Sequence, residues 1–146
     1  MLSKKAKYGL KAMFYLADKF GKGPTLISDL AEEEHIPKKF LELILLDLKR
    51  QGLLISKMGK GGGYELSKSP DKIFVGQVVR ILDGPLAPIP CVSKTAYQKC
   101  DECENEKTCE IRKIMMQVRE ASAAILDHTS LTDAPRAVFQ VSRKSR

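Results

Sequence analysis

Tryptophan is absent from the 146 residues and histidine occurs only twice. No Ser/His/Asp arrangement, no phosphate loop and no pair of carboxylates suited to a cleft can be assembled, so the sequence argues against an enzyme. No apolar run approaches the roughly 20 residues that a membrane-spanning helix needs. The start, Met1-Leu2-Ser3-Lys4-Lys5-Ala6-Lys7, is basic, but Lys11, Asp18 and Lys19 interrupt the apolar residues after it, so it does not read as a signal peptide. A cytoplasmic protein with no membrane partner is expected. In that compartment four cysteines are poor candidates for structural disulfides, leaving free thiols, a metal or a redox centre.

What the chain does have is positive charge, +7 overall. Residues 1–84 hold 15 Lys/Arg against 10 Asp/Glu, and residues 85–146 hold 10 against 8. A basic front half suits a polyanion such as DNA, although a basic soluble surface would show the same balance.

Apolar spacing predicts a mostly α protein with one small β-hairpin. Ala6, Leu10, Met13, Phe14, Ala17 and Phe20 recur at helical intervals over residues 4–20, ending at Gly21. A short helix comes next over 27–34, broken at His35-Ile36. Pro37 fits the first position of a third helix that runs to Arg50, with Phe40, Leu41, Ile44, Leu45 and Leu48 inward and Gly52 closing it. Leu53–Lys57 and Tyr64–Leu66 read as strands joined by a glycine-rich tip. Another helix covers 75–82, and Pro85, Pro88 and Pro90 make a stiff linker after it. A long helix over 110–126 carries the stripe Ile111, Ile114, Met115, Val118, Ala121, Ile125 and Leu126. Four segments result: a winged helix-turn-helix head over 1–84, a linker and cysteine loop over 85–109, a long striped helix and turn over 110–133, to which the resemblance named below gives the dimerisation role, and a basic tail over 134–146.

In a winged helix the second helix of the helix-turn-helix enters the major groove. Its outward positions here are Lys38, Lys39 and Glu42, with Leu43 and Asp47 beside them. A carboxylate facing DNA is unfavourable unless it accepts a hydrogen bond, and a cytosine N4 amine can donate one. Glu42 could equally sit on a solvated face near a lysine, and residue type alone favours that reading. In Gly59-Lys60-Gly61-Gly62-Gly63 the glycines permit close backbone approach to a phosphate, or simply a loose hairpin tip. The loop is neither a Walker loop, since no Gly-Lys-Ser/Thr occurs, nor a GxGxxG opening a helix. Lys57 and Lys60 would neutralise phosphates.

Cys91, Cys100, Cys103 and Cys109 are spaced C-x8-C-x2-C-x5-C. Thiolates bind soft metals and iron–sulfur clusters. A structural zinc site usually shows two close pairs, and only Cys100/Cys103 is close. Bare redox thiols are a second reading. Inert buried thiols are a third, opposed by the charged flanks Lys99, Asp101, Glu102, Glu104 and Glu106.

The segment from Gly52-Leu53-Leu54 through Ser56-Lys57-Met58-Gly59-Lys60-Gly61-Gly62-Gly63-Tyr64-Glu65-Leu66 resembles the wing of the bacterial IscR/NsrR/RirA/CymR regulators. Lys7-Tyr8-Gly9-Leu10-Lys11-Ala12-Met13, Phe40-Leu41-Glu42, Val75-Gly76-Gln77-Val78-Val79 and Leu82-Asp83-Gly84-Pro85-Leu86 extend the likeness, which runs from residue 2 to about 133. The resemblance implies a homodimeric transcription factor on an imperfect palindrome, pairing through the long C-terminal helix. The stripe on that helix is too large for a small domain to leave bare, which agrees. The candidate DNA contacts are Lys38, Lys39, Glu42, Lys57, Lys60, Gly61, Gly62 and Tyr64; of these the resemblance implies that Glu42 helps read bases, and it implies that the wing enters the minor groove. Members often carry Arg just before the wing glycines, where this chain has Met58, leaving Lys57 or Lys60 as substitutes.

For the cysteines the resemblance implies a [2Fe–2S] cluster on Cys91, Cys103 and Cys109 with one unlike ligand. The family's histidine ligand position is Arg112 here, and its alternative N-terminal aspartate position falls at Lys7 and Tyr8. Arg112 cannot ligate and the aspartate is missing, so Cys100 is the natural fourth ligand, although the x8 segment would also let Cys100 and Cys103 trade places. Zinc, free thiols or a partner enzyme, without a cluster, is the alternative.

Overall fold

In a computed structural model of the protein, residues 2–134 are described. The basic tail lies, from residue 135 onward, outside the described residues. Five helices and one antiparallel hairpin run in the order α1 Lys4–Asp18, α2 Ile27–Glu34, α3 Lys38–Arg50, β1 Leu54–Lys57, β2 Gly63–Leu66, α4 Val75–Asp83 and α5 Glu110–Asp127. This is a winged helix-turn-helix head with a long C-terminal helix.

Ser3 caps α1, its Oγ accepting from the Ala6 N–H at 3.0 Å, which satisfies one of the amides that a helix start leaves unpaired. The helix stops at Asp18, two residues earlier than the spacing predicts. Phe20 is therefore exposed rather than inward. The chain turns at Lys19–Lys22, and a helix stripe extended past a turn points the wrong way. Between α2 and α3, His35 takes a left-handed conformation (φ 54°) and Ile36 drops into the core, so the tight turn is fixed by one backbone kink and one apolar anchor. Pro37 precedes the first helical residue of α3 rather than filling it. Leu41, Ile44, Leu45 and Leu48 of α3 pack with Ala6, Met13 and Leu16 of α1, Leu30 of α2, Leu54 and Leu66 of the hairpin, and Val78 and Leu82 of α4. The Tyr8 and Phe40 rings meet edge to face, 5.6 Å apart, and join α1 to the start of α3.

The hairpin pairs Leu54 with Leu66 and Lys57 with Gly63. Its second strand is held on the other side by a bridge from Thr25, with Thr25 N–H to Tyr64 O and Tyr64 N–H to Thr25 O both at 2.8 Å. Gly63 is required there, because a Cβ would lie 2.1 Å from the Thr25 carbonyl oxygen. The wing is thus seated on the segment before α2.

α5 returns to the head at its far end. Arg80 of α4 and Asp127 of α5 form a two-pronged ion pair at 2.5 and 2.9 Å. Val75 N–H donates to Thr129 O and Leu131 N–H to Ile73 O.

Candidate nucleic-acid interface and cysteine cleft

Lys38, Lys39 and Glu42 stand exposed on the first turns of α3, with the fully buried Leu41 and Ile44 on the opposite side. This is the amphipathic division that binary spacing predicts. Leu43 is also exposed. Asp47 is not available in the same way: Lys5 of α1 holds its carboxylate at 2.9 Å, which pins the middle of α3 to the first helix. Lys11 of α1 donates to the Glu34 carbonyl at 2.5 Å, placing a positive charge at the end of α2, where carbonyls lack partners. The two lysines hold both helices of the helix-turn-helix on α1.

In the wing, Lys57, Lys60 and Gly61 are exposed and Gly62 is buried. Gly62 has no room for a side chain, since a Cβ would meet the Lys57 carbonyl oxygen at 2.3 Å. Tyr64 is half-buried and its ring packs against the head's core.

The four cysteines line one cleft of about 730 Å³ at the start of α5, together with Ile111 and Arg112. Cys91 is buried at a turn where Val92 and Ser93 are also buried, Cys103 and Cys109 are half-buried, and Cys100 is exposed. Cys109 caps α5, its Sγ accepting from the Arg112 backbone N–H at 3.4 Å. Cys103 N–H donates to the Cys100 carbonyl at 3.1 Å, folding the C-x2-C segment into a turn. Burial pushes the Cys103 thiol above its ordinary value, and Cys109, Glu106 and Cys100 add to the rise. Lys94, in the loop, and the buried Arg119 of α5 share the Glu120 carboxylate at 3.5 and 2.6 Å, docking the loop's first part on the helix. Arg112 Nε is buried without a hydrogen-bond acceptor among the described residues, beside the thiols. No three metal-binding side chains among the described residues stand close enough to hold one ion.

A winged helix-turn-helix continued by a cysteine loop and a long helix is matched along nearly its whole length. The family model Rrf2, described as iron-dependent transcriptional regulator, matches residues 2–136. The chain belongs to the Rrf2 family. An rrf2-like HTH-type transcriptional regulator of Rhodobacter capsulatus is 41% identical over 136 residues, covering 91% of each chain. The HTH-type transcriptional regulator CymR of Bacillus subtilis is 33% identical over 132 residues, 90% of this chain and 87% of that one. Its solved structure, described as the global cysteine regulator, superposes with a TM-score of 0.75 at 33% identity over 91% of this chain and 94% of that one. IscR of T. potens gives 0.74 at 29% identity over 94% and 88%. An oxidized form of Staphylococcus aureus CymR gives 0.70 at 28% over 91% and 94%. The protein is a DNA-binding transcriptional regulator of the Rrf2 family and not an enzyme.

The Rrf2 fold brings the expected cysteines to one cleft and the expected α3 residues to one exposed face. Sequence reasoning missed Arg80–Asp127, Lys5–Asp47 and the Thr25–Tyr64 bridge. Their partners are 47, 42 and 39 residues apart, and no local pattern marks such pairs. Arg112 was legible only as a residue that cannot ligate, since burial of its Nε depends on the fold.

Proposed function

We propose that two copies of this Rrf2 regulator pair through α5 and read an imperfect palindrome, under control of a [2Fe–2S] cluster held in the cysteine cleft. In this reading Lys38 and Lys39 meet phosphates and base edges at the start of α3, and Glu42 accepts from a base amine. Lys57 and Lys60 neutralise phosphates, Gly61 and Gly62 let the wing backbone come close, and Tyr64 seats the wing. Cys91, Cys103 and Cys109 hold the cluster with Cys100 as the fourth ligand.

The observation that carries the cluster is the presence of all four thiols on one cleft beside the buried Arg112 Nε. The donors fit in kind, because thiolates are the ligands such clusters take and an N–H without an acceptor suits a sulfur-rich anion. They fit in position only with a rearrangement of loop 91–109, since no three are yet gathered. When bound, the cluster supplies one-electron redox chemistry. The chain's own part is to present the thiols, keep Cys91 dry and place a positive charge beside them.

That same lack of convergence favours a second reading, in which the thiols act without a metal; its zinc form would need the same rearrangement as the cluster. Likeness to CymR, which has an oxidized form, is consistent with it.

Anaerobic reconstitution with iron and sulfide separates the two. A cluster gives brown protein with about two irons per chain, lost in Cys91→Ala and made labile with a shifted spectrum in Cys100→Ser. Colourless protein that binds one zinc tightly, or no metal, refutes the cluster.

A further inference from the structure

The wing tip is slender and carries little. Lys57 pairs with Gly63, so the loop between the strands is residues 58–62, Met-Gly-Lys-Gly-Gly. Gly59 and Gly61 take positive φ of 84° and 76°, and Gly62 N–H closes the turn on the Gly59 carbonyl at 3.0 Å. Side chains would be strained or blocked at these glycines, so the tip presents two, Met58 and Lys60. Met58 is 96% exposed, the most exposed of the large apolar residues described. It supports nothing in the head, and it stands between the exposed cations Lys57 and Lys60.

We propose that Met58 is an apolar wedge that the wing inserts into the minor groove at a flexible base step, bending the DNA. The inference rests on the DNA-reading role proposed for the wing. The minor groove is about 6 Å wide, which admits a glycine tip but not a decorated one. Flanking lysines on the phosphates would carry Met58 to the groove floor, where charge has no further work. An unbranched, adaptable thioether can then enter between bases, as apolar wedges do in proteins that kink DNA. Pyrimidine–purine steps (TA, CA/TG) unstack most readily, so the residue would select such steps without reading base edges. A methionine this exposed gives up no packing contact with the head on insertion, and its removal leaves the fold intact.

The test uses duplexes that the full-length wild-type protein selects from a random pool. Binding is measured by titration and bending by fluorescence energy transfer between labelled ends. Wild type should bend the duplex by roughly 20–90° and prefer a pyrimidine–purine step opposite the wing by about ten-fold, the scale of one mismatched position. Met58→Ala should still bind, unbent, with that preference gone. Met58→Arg should bind more tightly at low salt, with a steeper salt dependence by about one phosphate, and also leave the duplex unbent. A Met58→Ala protein that bends as wild type and keeps the step preference overturns the wedge while leaving DNA reading by the wing intact. If Lys60→Ala and Met58→Ala both bind every duplex as wild type does, the wing is off the DNA, and the wedge falls with it.

Discussion

The dimer seam proposed along α5 makes the sharpest demand on the structure. Ile111, Ile114, Val118, Ala121 and Ile125 succeed one another at intervals of three and four, the spacing of a coiled-coil stripe. The four larger residues are 65%, 56%, 43% and 66% exposed on the single chain. Covering what remains exposed buries a little over two aliphatic side-chain equivalents per protomer. At ~1.5–3 kcal/mol for each fully buried side chain, two protomers gain roughly 7–14 kcal/mol. Association itself costs about 4–15 kcal/mol, so the seam decides the outcome without a large surplus. Ile114→Asp with Val118→Asp removes about two equivalents from the dimer, or roughly 3–6 kcal/mol, and adds carboxylates to an apolar seam. The dissociation constant should rise by at least about 100-fold, since each 1.4 kcal/mol is a factor of ten. Sedimentation equilibrium at tens of micromolar protein should show a wild-type dimer and a folded variant monomer, and binding to palindromic DNA should fail with it. A variant that stays folded and dimeric within ten-fold of wild type places the interface elsewhere and refutes the reasoning.

Three further outcomes are expected. Lys60→Ala should weaken binding to all sequences alike and lower the salt slope by about one, and an unchanged slope removes Lys60 from the phosphates. Glu42→Ala should relax one base position per half-site by about 1–3 kcal/mol, whereas wild-type discrimination at every position would assign Glu42 to a solvated face. Hydrogen bonds from Arg80 hold the Asp127 carboxyl below its ordinary value, so the pair stabilises the fold above the unfolded carboxylate's pKa near 3.9 and this is lost as pH falls through the folded value. Both side chains are over a third exposed, so the contribution is about 1 kcal/mol. Urea unfolding of Asp127→Asn should show that much less stability at pH 7 and the same stability as wild type at the acid end, and an equal deficit at both would refute it.

The fold was largely legible because its signals are local. The turn at His35-Ile36, the apolar face of α3 and the glycine tip each announce themselves within a few residues, and all five helices and both strands lie within two residues of where spacing puts them. Phe20 shows the limit: a helical stripe cannot tell a last inward turn from a chance apolar residue after the helix has ended. The candidate sites divide in the same way. Exposure of Lys38, Lys39 and Glu42 is a consequence of helix periodicity. That four thiols share one cleft depends on loop 85–109 folding back on α5 with Cys91 and Val92 buried, which spacing alone does not encode. Tyr64 reads as a contact residue from its place in the hairpin, yet much of its ring packs against the core.

The proposed control of the head by the cleft requires a mechanical connection, and the structure offers two. Pro85 to Pro90 joins the loop to α4 through the chain. The second connection is α5 itself. Its first turn is capped by Cys109, and its last residue, Asp127, grips Arg80 of α4 about 27 Å away along the helix. Gly76 makes this grip possible, because a Cβ there would lie 2.1 Å from the Asp127 carboxylate oxygen. Beyond the helix, Thr129 and Leu131 add backbone hydrogen bonds to the segment 73–75 that leads into α4. A tilt or shift of α5 imposed at the cysteine end would therefore reach α4 through an ion pair and a β-bridge. Leu82 of α4 lies in the same buried cluster as Leu41 and Ile44 of α3. If the cleft has loaded and empty states as proposed, they can change DNA affinity through this joint only to the extent that it holds two arrangements of unequal energy.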